Sequence, residues 1–131
     1  MSIPAGAASP FRELKLLIAN KRWEDLRARL EGVPLWIYDR PLTSDALVDG
    51  LSALLDSSAD PNIDVVAEVK RKREGDRWAS TLTCCLVWGE HDSWTEHELE
   101  FDLHLGTEKS NGCWRLRYLG VTPATPEEFA P

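Results

Sequence analysis

The chain has 131 residues, 43% of them apolar and 28% charged, the composition of an ordinary globule long enough to bury a core without staples. Its net charge of -7 argues against nucleic acid and anionic membrane as partners, because affinity for phosphate surfaces comes from Lys and Arg. The N-terminus MSIPAGAASP has no basic segment followed by an apolar run, no stretch approaches membrane-spanning length, and the three Cys suit reduced thiols, so a cytoplasmic protein is expected.

One domain is expected over residues 1–131, with 1–8 and 122–131 as loose tails. Ser9 and Pro10 suit the N-cap and first position of a helix, and Phe11, Leu14, Leu17 and Ile18 recur at helical spacing. After a break near Asn20, NKRWEDLRARLEG continues helically, with Trp23, Leu26 and Leu30 as its stripe and Gly32 as its stop. VPLWIYDRP is a short extended segment bracketed by prolines. TSDALVDGLSALLDSS predicts a third helix, capped by Thr43 or Ser44, with Leu47, Leu51, Leu54 and Leu55 facing inward; SADPN ends it.

From Ile63 the pattern changes to period two. Gly75-Asp76 is a two-residue hairpin signal, with Gly first as a type II′ turn wants. Glu74 facing Arg77 then predicts Arg73 opposite Trp78, Arg71 opposite Ser80, Val69 opposite Leu82, and Ile63 opposite Trp88. The stretch WTEHELEFDLHL alternates next. Glu96, Glu98, Glu100, Asp102 and His104 take one face; His97, Leu99, Phe101, Leu103 and Leu105 take the other. GTEKSN predicts the connecting loop and CWRLRYLGV the last strand. Keeping apolar residues together places Leu103 opposite Trp114 and Phe101 opposite Leu116, and pairs Asp102 with Arg115 and Glu100 with Arg117.

The acidic row therefore reads as the wet outer side of the sheet. Carboxylates on one strand about 6–7 Å apart suit a charge ladder, whereas a metal wants ligands converging from different elements. The sequence has no Gly-rich phosphate loop, Cys-x-x-Cys, Gly-x-Ser-x-Gly or His-Glu-x-x-His, so no metal and no cofactor are expected. Cys84 and Cys85 point to opposite faces, and Cys84 reads as a buried thiol. Arg71, Arg73, Ser80 and His97 interrupt the apolar inner layer. The arginines read as snorkelling over Trp78 and Trp114. His97 is expected beside Leu86, near Trp88 and Gly120. A core-facing His is more often structural than a site. The candidate pocket is nevertheless His97 with Trp36, Tyr38, Asp39, Trp88 and Trp94, in which Asp39 has the chemistry to orient a His or exchange a proton with it.

The order helix, helix, extended segment, helix, then antiparallel strands is carried by NKRWEDLRARLEG, LWIYDRPLTSDALVDGLSALL and CWRLRYLGV. It resembles the nuclear transport factor 2-like superfamily over roughly residues 9–121. The resemblance implies an α+β fold, with three N-terminal helices packed on one face of a curved, cone-like antiparallel sheet. That superfamily includes small-molecule isomerases, dehydratases and cyclases alongside non-catalytic domains, and dimers are common in it. Its enzymes typically place an Asp–His or Tyr–Asp constellation inside the cone; Tyr38, Asp39 and His97 are the residues of those types here. The leading expectation is a non-catalytic binding or association module with a hydrophobic, Trp-lined pocket. Its partner would be a small hydrophobic ligand or a protein, a second copy of the chain included. One alternative is a cofactor-independent acid–base enzyme of the isomerase or dehydratase type acting on a small hydrophobic substrate. The other is an acidic, protein-neutralising partner of the immunity type, suggested by size and charge. Fold analogy alone does not choose among them.

Overall fold

The structure, a computed structural model, describes residues 5–90 and 96–123. Three helices, α1 (Ala5–Ala19), α2 (Trp23–Leu30) and α3 (Ser44–Leu55), pack on one face of a curved sheet. Its strands are β1 (Leu35–Ile37), β2 (Arg40–Pro41), β3 (Ser58–Glu74), β4 (Arg77–Glu90), β5 (Glu96–Ser110) and β6 (Cys113–Pro123), in the order β2-β1-β6-β5-β4-β3. Neighbours are antiparallel except β1 and β6, which run parallel. The expected α+β architecture is the observed one.

Helix α1 begins at Ala5, upstream of Ser9, and carries Pro10 inside it. The Ala-rich start extends the helix past the predicted cap, and a proline this near the N-terminus removes only one hydrogen bond. The break after Ala19 is as predicted. Thr43 is the N-cap of α3, its hydroxyl accepting from the Ala46 N–H at 3.0 Å. Val48, missed in the predicted stripe, is buried with Leu55, whereas Leu54 faces out. Arg27 joins α2 to α3 through Asp45 and Asp49. At the other end of α3, Asp56 accepts from the Ser52 hydroxyl at 2.8 Å and the Trp23 indole at 2.6 Å. Those two bonds, Ser52 first, hold its carboxyl below the usual range.

The helices and sheet meet over Phe11, Ile18, Leu26, Leu55, Leu86 and Phe101, among others, and this interior is filled with apolar side chains. One alternating set of sheet residues, Leu82, Cys84 and Leu86 on β4 with Phe101, Leu103 and Leu105 on β5, supplies that inner face.

Two registers differ from expectation. The β3–β4 hairpin starts as predicted. Gly75 has φ +61 in its turn, and Arg73 faces Trp78 and Arg71 faces Ser80. Irregularities then fall between Glu68 and Lys70 and between Val65 and Ala67. Each inserts one residue into β3, so Glu68, not Val69, lies opposite Leu82, and Ile63 lies opposite Leu86, not Trp88. Val69 is 63% exposed while Leu82 is 9% exposed, so the predicted Val69–Leu82 contact is absent. On the other side, GTEKSN is not a loop. Strand β5 runs on to Ser110, and the turn is Asn111-Gly112, with φ +51 and +79. With that turn and one extra residue in β6, Arg117, Leu103 faces Val121 and Phe101 faces Pro123, instead of Trp114 and Leu116. Asp102 lies opposite Thr122, and Glu108 takes Arg115 as its partner in the ladder. The predicted Asp102–Arg115 and Glu100–Arg117 pairs do not form. Strand β6 also extends through Thr122 and Pro123, into what was expected to be a tail.

Candidate functional site

The site is built by register. On the face away from the helices, one row crosses five strands: Lys70 on β3, Thr81 on β4, His104 on β5, Gly120 on β6 and Trp36 on β1. The adjacent row reads Lys72, Ala79, Gly106 and Tyr118. Small residues thus form a floor between aromatic side chains at one end and lysines at the other. The two glycines are there for space. A Cβ on Gly120 would lie 2.2 Å from the Trp36 indole, and one on Gly106 would lie 2.1 Å from the Tyr118 ring. The rings lie flat over the glycine backbones and stack on one another, centroids 5.3 Å apart and planes 28° from parallel. Tyr118 reaches this face because β6 is irregular between its partners Gly106 and Thr107: Arg117 is the extra residue, so Tyr118 and Leu116 point to opposite sides.

The result is an open cleft of about 400 Å³, lined by Trp36, Tyr118, His104, Lys70 and Lys72 and closed at one end by Tyr38 and Asp39 in the β1–β2 turn. That turn is tied to β6 by the Tyr38 N–H, which donates to the Val121 carbonyl at 2.9 Å. His104 is clamped in the floor. Its Nδ1 lies 3.3 Å from the Thr81 hydroxyl and its Nε2 lies 3.1 Å from the Thr122 hydroxyl. A hydroxyl both donates and accepts, so the pair satisfies either neutral tautomer. Thr83 donates to Asp102 at 3.0 Å in the next row. Lys72 is paired with Glu74 at 2.9 Å, which raises its pKa.

Among the six candidate residues of the sequence analysis, the structure brings Trp36, Tyr38 and Asp39 together in this cleft. It places His97 and Trp88 elsewhere, on the inner face, where they are ladder partners and their rings stack at 5.4 Å. His97 is half-buried, and Gly120, expected near it, pairs with His104 instead. Trp94 lies outside the described residues. The histidine of the cleft is therefore His104, which sequence reasoning had set in the acidic row. No local signal marks the cleft: Gly106 and Gly120 are strand glycines, but the rings seated over them, Tyr118 and Trp36, are distant from them in sequence.

A second cleft, about 410 Å³, opens between the helices and the β5–β6 hairpin. Trp114, Leu116, Leu14 and Val33 line it, and Glu13 and Arg29, an ion pair at 2.5 Å, form its rim. Arg73 lies over Trp78 at 5.5 Å, the predicted snorkelling contact. Cys84 and Cys85 are both buried and Cys113 is exposed, all as free thiols. Burial pushes the Cys84 thiol up to about 11. Among the described residues no three His, Cys, Asp or Glu side chains converge as a metal site requires.

By sequence the chain matches no protein-family model and no curated protein. Solved structures do match. ActVI-ORFA from Streptomyces coelicolor superposes with a TM-score of 0.70 at 12% identity, over 92% of this chain and 96% of that one. An NTF2-like protein from Cytophaga hutchinsonii gives 0.66 at 13% identity, over 94% and 99%. A scytalone dehydratase-like protein from Novosphingobium aromaticivorans gives 0.69 at 10% identity, over 92% and 83%. The chain has the nuclear transport factor 2-like fold. At these identities the likeness is one of architecture, and the NTF2-like cone here has an interior packed with Leu26, Leu30, Val48 and Leu55, each at most 1% exposed. Among the described residues no helix is long and apolar enough to cross a membrane.

Proposed function

We propose that the protein is a non-catalytic binding module acting in the cytoplasm, and that its ligand, a small molecule, lies in the aromatic cleft on the helix-free face of the sheet. One observation carries this reading: the stacked Trp36–Tyr118 pair is seated over Gly120 and Gly106, which leaves a flat, preformed aromatic wall beside open volume. Such a wall binds without reorganisation, and ligand sites are commonly concavities of this size and mixed polarity. The state of His104 supports binding over chemistry. Both ring nitrogens are engaged by threonine hydroxyls, so neither is presented to a substrate proton.

The second reading is an acid–base enzyme. It is favoured by Tyr38, Asp39 and His104 lining one cleft, and by fold neighbours named as dehydratases. Reaction within the cleft would require His104 to release a threonine.

A fragment screen read by backbone amide shifts tests the proposal. Binders should shift the amides of Gly106, Gly120 and His104, and Trp36→Ala should remove those shifts while the far-UV spectrum stays native. Binders that consistently shift the inner face near His97 and spare the cleft would overturn it. Turnover of a bound fragment that is lost in His104→Gln would favour the enzyme.

A further inference from the structure

We infer that the ligand of the outer cleft is a planar aromatic monocarboxylate, bound with its rings against Trp36 and Tyr118 and its carboxylate toward Lys70 and Lys72. The inference rests on the cleft being the binding site and adds the chemical class of what enters it. The cross-strand rows fix the arrangement. The Trp36 ring lies over Gly120 on β6 and the Tyr118 ring over Gly106 on β5, while the lysines stand on β3, three and two strands away. At the usual strand spacing the backbones under the rings and under the lysines are about 10–14 Å apart. Both line one cleft, with Ala79 and Thr81 in the rows between them. A ligand filling that gap meets a π-face at one end and ammonium groups at the other.

At the aromatic end the Arg117 guanidinium lies 5.6 Å from the Tyr118 ring centroid and is paired with Glu108 at 3.9 Å, and Asp39 is the carboxylate that lines the cleft. Lys72 is partly neutralised by Glu74 at 2.9 Å. Lys70 forms no ion pair among the described residues, which leaves its ammonium for an anion. Asp39 lies in the β1–β2 turn beside Trp36, at the aromatic end. A second anionic group on the ligand would face that carboxylate. The cleft therefore selects one negative charge and fixes its orientation. A neutral aromatic would stack and forgo the lysines; a dianion would gain the lysines and oppose Asp39. Selection by an unfavourable contact as well as a favourable one is how a shallow site becomes specific.

Three probes of one ring system separate these cases: 2-naphthoate, 2-naphthamide and naphthalene-2,6-dicarboxylate, titrated by calorimetry and by backbone amide shifts. The expected result is that 2-naphthoate shifts the Gly106 and Gly120 amides and binds about fivefold tighter than 2-naphthamide, from two solvent-exposed charge contacts. The dicarboxylate should bind more weakly than the monocarboxylate. The doubly substituted Lys70→Gln, Lys72→Gln protein should lose the preference for 2-naphthoate over 2-naphthamide. Equal affinity of the native protein for acid and amide, with both shifting the cleft amides, overturns the ligand class and leaves the cleft as the site. A dicarboxylate that binds more tightly than the monocarboxylate overturns the role given to Asp39 and with it the monoanion. No shift in the cleft from any probe overturns the class and counts against the site as well.

Discussion

Gly120→Ala isolates the feature on which the cleft depends. Gly120 does not occupy the left-handed backbone region that favours glycine, so an alanine fits its main chain. The new methyl does not fit its surroundings, because it would lie 2.2–2.4 Å from three atoms of the Trp36 indole. Ordinary carbon contacts are about 3.5–4.0 Å, so the ring must retreat by more than about 1 Å. It cannot slide freely along the sheet, since Tyr118 is stacked against it at 5.3 Å. The indole therefore leaves its place. The loss of stacking is worth about 0.5–1.5 kcal/mol, and part of the indole's burial goes with it. Against this, alanine in a strand recovers about 0.5–1 kcal/mol of backbone entropy. The net expectation is a destabilisation of about 1–2 kcal/mol, measured by urea unfolding followed by circular dichroism so that Trp36 emission does not enter the signal. The control is the same substitution in a Trp36→Ala background. With no ring to displace, Gly120→Ala should there be neutral or stabilising. An equal cost in both backgrounds would refute the reasoning, because the penalty would then come from the backbone and not from the aromatic wall.

Three further outcomes are expected. Gly75→Val should lower the unfolding free energy by about 1 kcal/mol or more, because the first turn position holds φ +61; an unchanged urea midpoint would count against the turn. Glu100→Gln with Asp102→Asn should change stability by no more than about 1 kcal/mol, since the row is a solvated ladder and Asn keeps an acceptor for Thr83; a bound divalent ion lost with these substitutions would overturn that view. In the native protein Cys113 should react promptly with a disulfide reagent at pH 8, while Cys84 and Cys85 react only on unfolding, both thiols being raised by burial. Because the Cys84 thiol is raised from 9.0 to about 11, its share of stability is complete below pH 9 and is lost as pH climbs toward 11; Cys84→Ala should flatten that alkaline decline.

The helices and the sidedness of the strands were readable because each has a period and a buried face to enforce it. Leu26 and Leu30, or Leu82, Cys84 and Leu86, announce themselves by spacing. Register was not readable past the first irregularity. A bulge inserts one residue and leaves the alternation on either side intact, so the extra residues in β3 and at Arg117 in β6 have no signature in hydropathy. The polar run GTEKSN reads as a loop by composition. In the structure it is β-strand because hairpin pairing, not burial, holds the distal end of β5, and Asn111-Gly112 was the stronger turn signal. Moving the turn to those residues shifts β6 by six positions against β5, so that Leu116 meets Thr107 instead of Phe101, and the extra residue Arg117 makes the total shift odd. That shift carries Gly120 from the neighbourhood of His97 to His104 and relocates the cleft to the opposite face.

Relocation also changes what the net charge means for the site. A chain of charge -7 is a poor general partner for anions, and the exposed Glu96, Glu98 and Glu100 lie on the same face as the cleft. They lie along β5, however, and not beside the lysines. Glu98 is separated from His104 by roughly 20 Å at strand rise. The Debye length is about 8 Å at physiological ionic strength, so solvent-exposed charges that far apart are largely screened from each other. Lys70 stands in the row of His104 itself, and Lys72 in the next. Near the cleft the charges that count are the nearby ones: Lys70, Lys72 with its partner Glu74, Asp39, Asp102 in the row next to His104, and Arg117 over the Tyr118 ring. On the proposed reading the acidic row disfavours a polyanion, which would have to lie along the whole face, and a single carboxylate at the lysine end avoids it.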